Sequence, residues 1–138
     1  MLNLPVQLVH EMVAHAYDGL PNEACGLLVG HAGTNTAVRF VPTRNVAESS
    51  RIYTIDGLEQ MRAERAAEAD GLSLIGVMHS HTHTTAYPSP TDVAQAEWLD
   101  PAWHFVIVSL RDEAPSTRSY RIVDGEIAEE QIIPRGTS

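Results

Sequence analysis

The sequence contains no lysine. All nine of its basic residues are arginine, set against 18 acidic residues, for a formal net charge of −9. The arginines are scattered singly, so the chain has no basic footprint of the kind that grips phosphates, which argues against nucleic-acid binding. The missing lysine reads either as compositional bias, alongside abundant alanine, or as protection from lysine-directed modification. Cysteine is nearly absent: Cys25 stands alone, so no internal disulfide can form, and a reducing cytoplasm is the expected location. No apolar run approaches the roughly 18 residues of a membrane span, so no membrane association is expected. The opening stretch MLNLPVQLVHEMV lacks a basic leader followed by an apolar block, and no signal peptide is expected.

What is present fits a globular chain. The 138 residues are 43% hydrophobic and 20% charged, a length and balance that imply a single domain over residues 1–138. A chain of this size buries roughly two-thirds of the surface its unfolded form exposes. Residues 134–138 read as a loose tail.

Apolar periodicity predicts a helix over 4–19 and buried strands over 23–30 and 73–79. The run 37–42 alternates and returns as the partner of the first of these strands across a turn at 31–36. Residues 44–50 read as a polar loop and 53–55 as a brief strand. Asp56 is a fitting N-cap for an amphipathic helix reaching Asp70. A loop dense in Thr and His follows at 81–88, then a short helix at 89–99. The stretch 103–110, WHFVIVSL, is the strongest strand signal in the chain. Asp124-Gly125 marks a hairpin between strands over 118–123 and 126–133. Strands interleave with helices while two links are hairpins, so the fold class is α/β with a mixed sheet flanked by helices. Trp98, Trp103 and Phe105 read as core.

Three of the seven histidines fall in five residues, His79-Ser80-His81-Thr82-His83. Residues i and i+2 of a strand face the same way, so His79 and His81 at a strand end can converge on one metal ion. Asp92, on the first turn of the next helix, can supply a third ligand. Two nitrogens, one carboxylate oxygen and an open position suit catalytic zinc, which lowers the pKa of its water to about 7. Glu23, at the margin of an apolar strand, is the candidate base, because such a carboxylate tends to have a raised pKa. Each residue also has a plainer reading. A His-x-His pair alone is weak, and Ser89-Pro90-Thr91-Asp92 is a capping box in its own right. Glu23 also reads as a solvated strand-edge acid, Cys25 as a small core residue, and His83 as a solvated loop residue.

Taken together, Glu23-x-Cys25-Gly26, His79-x-His81, seven intervening residues and Ser89-x-x-Asp92 resemble the JAMM (MPN+) metallopeptidase family over roughly residues 5–130. The resemblance implies the JAMM (MPN) fold, a mixed sheet wrapped by helices and related to cytidine deaminase. It implies that His79, His81 and Asp92 bind Zn2+, that Glu23 holds and deprotonates a water, and that Ser89 hydrogen-bonds the tetrahedral oxyanion. The segments 21–26, 79–82, 86–93 and 118–125 resemble bacterial members that act on a ubiquitin-like sulfur carrier protein ending in Gly-Gly. The implied reaction is hydrolysis of the amide between that terminal glycine and an added cysteine, releasing cysteine. Many family members have proline after the second histidine, where this chain has Thr82; the sulfur-carrier branch also lacks that proline.

That reading needs an extended carrier tail beside a sheet edge, held by main-chain hydrogen bonds. It also needs a cation for the released cysteine's carboxylate, with Arg51 as the candidate. Exposed strand edges in so small a sheet suggest a homodimer. The competing readings are a broader isopeptidase that removes ubiquitin-like modifiers, a non-catalytic MPN scaffold, and a zinc-storage or sensor protein whose histidine cluster includes His83.

Overall fold

The structure, a computed structural model, describes residues 1–135. The chain runs β1 (Leu2–Pro5), α1 (Val6–Gly19), β2 (Cys25–His31), β3 (Thr36–Thr43), α2 (Gly57–Ala69) and β4 (Ser73–His81). It continues through α3 (Pro90–Ala96), β5 (His104–Ser109), β6 (Ser116–Val123), β7 (Glu126–Glu130) and β8 (Ile132–Arg135). Among the described residues, one mixed sheet has the order β7-β6-β5-β4-β2-β3-β1-β8. The β4–β5, β1–β3 and β1–β8 pairs are parallel and the others antiparallel.

Strands β7 and β8 lie at opposite ends of that order, yet only Gln131 separates them. One residue spans at most about 3.6 Å, so the sheet must curl until its two edges nearly meet. Leu2 N–H donates to the Gln131 carbonyl at this seam (2.9 Å). The result is an almost closed barrel, an arrangement that also shelters both edge strands.

Alternation along the strands divides the core. Val106 and Val108 of β5 join Leu28, Met78 and the α1 residues Leu8, Met12 and Ala16 on one face. Phe105 and Ile107 join Leu27, Val77, Ala63 of α2 and Ala96 of α3 on the other. His15 ties α1 to the sheet by donating from Nε2 to the carbonyls of Cys25 (2.8 Å) and Thr43 (3.2 Å). Asp56 caps α2 as expected, accepting from Leu58 N–H. At the β6–β7 turn, Asp124 and Gly125 both have positive φ, 53° and 78°, the left-handed conformation that this hairpin type requires.

Several boundaries depart from the sequence reading. Residues 2–5, of which Leu4 and Pro5 were expected in the first helix, form β1. They pair in parallel with β8, a partner more than 125 residues away in the chain. The strand expected over 126–133 breaks at Gln131 into β7 and β8. The strand expected at 53–55 reduces to a single bridge between Asn45 and Ile55. Trp98, expected in the core, is 88% exposed, because α3 ends at Ala96 and leaves it on the following turn. Of the tail expected at 134–138, residues 134 and 135 belong to β8, and the rest lies outside the described residues.

Candidate active site

The site forms where β4 ends. Two β4 residues beyond the expected strand end, Ser80 and His81, remain paired with β5, with His79 beside Ile107 and His81 beside Ser109. The two-residue period therefore holds through both histidines, and both project toward the face that carries α2 and α3. Across the strand pair, Cys25 of β2 stands opposite His79. Glu23 lies two residues before Cys25, just outside β2. Ser80 fastens it there: its Oγ accepts from Ala24 N–H (2.8 Å), and its own N–H donates to the Ala24 carbonyl (2.9 Å).

Asp92 arrives on α3. Pro90 opens the helix and Ser89 caps it: the Ser89 hydroxyl oxygen accepts from Asp92 N–H (3.1 Å), and Asp92 Oδ2 accepts from Ser89 N–H (2.9 Å). The capping box is thus real, and it is also what aims Asp92. Its Oδ2 lies 3.0 Å from His79 Nε2 and 3.0 Å from His81 Nε2, and the two nitrogens are 3.1 Å apart. All three residues are buried. Four-coordinate zinc with bonds of about 2.0 Å defines a tetrahedron with edges of about 3.3 Å, so this near-equilateral triangle fits one face of it. The donor set fits as well, since two imidazoles and a carboxylate with room for a further ligand suit a catalytic metal.

The surroundings support that assignment. His81 Nδ1 lies 2.7 Å from the Thr85 carbonyl. A carbonyl only accepts, so Nδ1 carries a proton, and in the neutral ring the Nε2 lone pair faces the cluster. The Tyr53 ring stacks on His79, centroids 4.3 Å apart and planes within 16°. Gln95 of α3 donates to the Tyr53 carbonyl (2.6 Å). Buried Oε1 of Glu23 and Oδ1 of Asp92 have no hydrogen-bond partner in the protein, as expected of oxygens kept for a ligand.

The electrostatics separate the two acids. Burial pushes Glu23 up to about 8, His81 opposing and Asp92 reinforcing the shift. Burial would raise Asp92 also, but hydrogen bonds from His79 and His81 outweigh it and hold the carboxyl far below the ordinary range. Burial lowers His79. His81 is raised, because Asp92 and the Thr85 carbonyl outweigh its burial. One carboxylate therefore stays ionised beside the imidazoles, and the other is suited to exchanging a proton near neutrality.

Of the residues singled out from sequence, Glu23, His79, His81, Ser89 and Asp92 all belong to this neighbourhood. His83 is exposed and does not join the triad. Arg51 is exposed, in the segment between Asn45 and Tyr53. Sequence reasoning missed Tyr53 and Asn45. Tyr53 lies in a short apolar trio that looked like a strand, and Asn45 in a polar loop with no periodicity to single it out.

The profile of prokaryotic homologs of the JAB domain matches residues 5–123. The CysO-cysteine peptidase of Mycobacterium tuberculosis is 44% identical over 134 residues, covering 96% of this chain and 90% of that protein. A probable TtuB-protein conjugate cleaving protease of Thermus thermophilus is 37% identical over 102 residues, covering 73% of this chain and 67% of that protein. The solution structure of a Desulfitobacterium hafniense protein superposes with a TM-score of 0.89 at 34% identity, covering 99% of this chain and 94% of that one. A JAB1/MPN domain protein from Archaeoglobus fulgidus shares the fold at 20% identity, with a TM-score of 0.63 and coverage of 96% and 99%.

Proposed function

The chain belongs to the prokaryotic JAB-domain family, and from that premise we propose that it is a zinc peptidase acting on a ubiquitin-like sulfur carrier protein. It hydrolyses the amide between the carrier's C-terminal glycine and an added cysteine, releasing cysteine. The observation that carries this reading is the buried triangle of His79, His81 and Asp92 with an unpartnered Glu23 carboxyl beside it. Similarity to the CysO-cysteine peptidase over nearly the whole of both chains supports the choice of substrate.

His79 Nε2, His81 Nε2 and Asp92 Oδ2 would hold zinc. When bound, the metal supplies Lewis-acid polarisation of the scissile carbonyl and a water of lowered pKa. Glu23 takes the proton of that water on its carboxylate and returns it to the departing amine of cysteine. Ser89 Oγ already accepts from Asp92 N–H, so its own O–H proton is free to be donated to the oxyanion. Asp92 would stay ionised throughout, its Oδ2 accepting from Ser89 N–H.

Glu23→Gln separates the base from the ligands. The variant retains one zinc per chain and loses at least about 10²-fold in turnover. Normal turnover in Glu23→Gln rejects the assignment of the base, and loss of the metal would make Glu23 a ligand. The 37% identity to a TtuB-protein conjugate cleaving protease favours a second reading, removal of a carrier from a protein to which it is joined. Side-by-side rates on a carrier–cysteine adduct and on a carrier joined to a protein lysine decide between them.

A further inference from the structure

The segment between β3 and α2 carries no regular structure beyond its Asn45–Ile55 bridge, yet it makes three contacts with the active site. The Ser49 carbonyl accepts from Glu23 N–H (2.8 Å). The Ser50 carbonyl accepts from the Thr82 hydroxyl (3.1 Å), on the residue after His81. Tyr53 stacks on His79. Fixing so irregular a segment opposes its conformational entropy, so a specific anchor is required.

We propose that Asn45 is that anchor and acts as a positioning residue for the reaction, locking the segment to the backbone of Glu23. Its Nδ2 donates to the carbonyls of Glu23 (2.9 Å) and Ile52 (3.0 Å), with the Ser49 carbonyl at 3.5 Å. Its Oδ1 accepts from Ala47 N–H (3.0 Å) and Thr54 N–H (2.9 Å). Both amide protons and both lone pairs are used, the full capacity of the group, in a side chain that is buried.

The bonds divide by task. The two accepted by Oδ1, and the one Nδ2 gives to the Ile52 carbonyl, fold the segment upon itself. The other bond from Nδ2 ties it outward, to Glu23. Because buried Oε1 of Glu23 has no protein partner, little besides the backbone and packing directs the carboxyl. A displacement of about 1 Å at a catalytic group can lower the rate on the order of 10²-fold. Asn45 makes no hydrogen bond to His79, His81 or Asp92, so its influence passes through Glu23 and the Tyr53 segment.

This inference rests on the reading of Glu23 as base, and its test separates the two. Asn45→Asp keeps the acceptor for Ala47 and Thr54 and replaces the two donors by a charged oxygen. In the zinc-loaded full chain, Asn45→Asp lowers kcat about 10²-fold on the carrier–cysteine adduct, with KM within threefold and one zinc retained per chain. Asn45→Ala, which sets no negative charge against carbonyls, does the same if the Asp variant folds poorly. Unchanged kcat per folded molecule, a loss confined to KM, or loss of zinc overturns the proposal. Hydrogen exchange followed by NMR adds a readout independent of turnover. The Glu23 amide loses at least tenfold in protection in Asn45→Asp, while the β4 and β5 amides keep theirs. Unchanged protection at Glu23 overturns the proposal even if the wild-type enzyme proves inactive on this adduct, a result that would count only against the substrate.

Discussion

Ser89 shows how one hydroxyl can serve structure and chemistry together. Its oxygen caps α3 and so aims Asp92, and its proton is free for the proposed bond to the oxyanion. The two tasks can be separated by substitution. Ser89→Ala removes both and lowers stability by about 1 kcal/mol as a lost cap. Ser89→Gly removes the hydroxyl but costs only a few tenths of a kcal/mol at an N-cap. Both variants are expected to lose 10²–10³-fold in kcat, the scale for one oxyanion donor. A kcat loss that instead tracks melting temperature, large in Ala and small in Gly, assigns Ser89 to capping alone. The five candidate residues were legible because each lies in a short pattern with a local rule: a two-residue strand period, a capping box, an acid at an apolar strand margin. Tyr53 and Asn45 obey no such rule. Their roles come from contacts with His79 and Glu23 that only the folded chain creates.

Among the elements, the central pair β2 and β4 sets the separation of Glu23 from the histidines. Gly26 allows β2 to lie flush against its other neighbour, β3. A Cβ built there would stand 2.4 Å from the Phe40 ring and 2.7 Å from the Val41 carbonyl. Gly26→Ala is therefore expected to destabilise the protein by about 1–3 kcal/mol through overpacking, read as a lowered Tm. An unchanged Tm would mean that Phe40 and β3 give way freely. The inner strands and α2 were readable from runs and periodicity because each carries its own apolar face. Of the outer strands, β6 and β7 were readable from the Asp124-Gly125 hairpin, whereas β1 and the break that makes β8 a separate strand were not. Residues 2–5 are too few to show a period of their own, and their pairing is with β8 at the far end of the chain. Trp98 misled for a related reason, since an aromatic residue at the end of a short helix carries no local sign of which way the chain turns.

The molecule as a whole is held at the seam where the sheet nearly closes. Glu130, the last residue of β7, accepts at Oε2 from His104 Nδ1 (2.7 Å) and from the Ser119 hydroxyl (2.7 Å), and the Met1 α-amino group lies 3.3 Å from Oε1. Burial would raise this carboxyl, but the bonds from His104 and Ser119 outweigh it and leave the pKa below the ordinary value. A carboxyl depressed in the folded state binds its proton more readily when unfolded, so it adds stability above the unfolded value of about 4.3. That contribution fades as pH falls through the lower folded value. Glu130→Gln should accordingly be less stable than wild type near neutral pH, the gap narrowing below about pH 4. A gap in denaturation free energy that stays constant from neutral to acid pH refutes the ionic role. The α/β mixed sheet was readable in the sequence at this scale, whereas its curling was not, because closure depends on β8 leaving β7 at Gln131 for the opposite edge.

The central claim is that this fold brings three ligands and a base together to remove a cysteine from a carrier tail. Intact mass of a sulfur-carrier protein bearing one cysteine after its Gly-Gly, incubated with the zinc-loaded protein with and without a chelator, tests it most directly. The expected result is loss of one cysteine residue from the carrier, abolished by the chelator. An unchanged carrier mass with zinc bound stoichiometrically would contradict it.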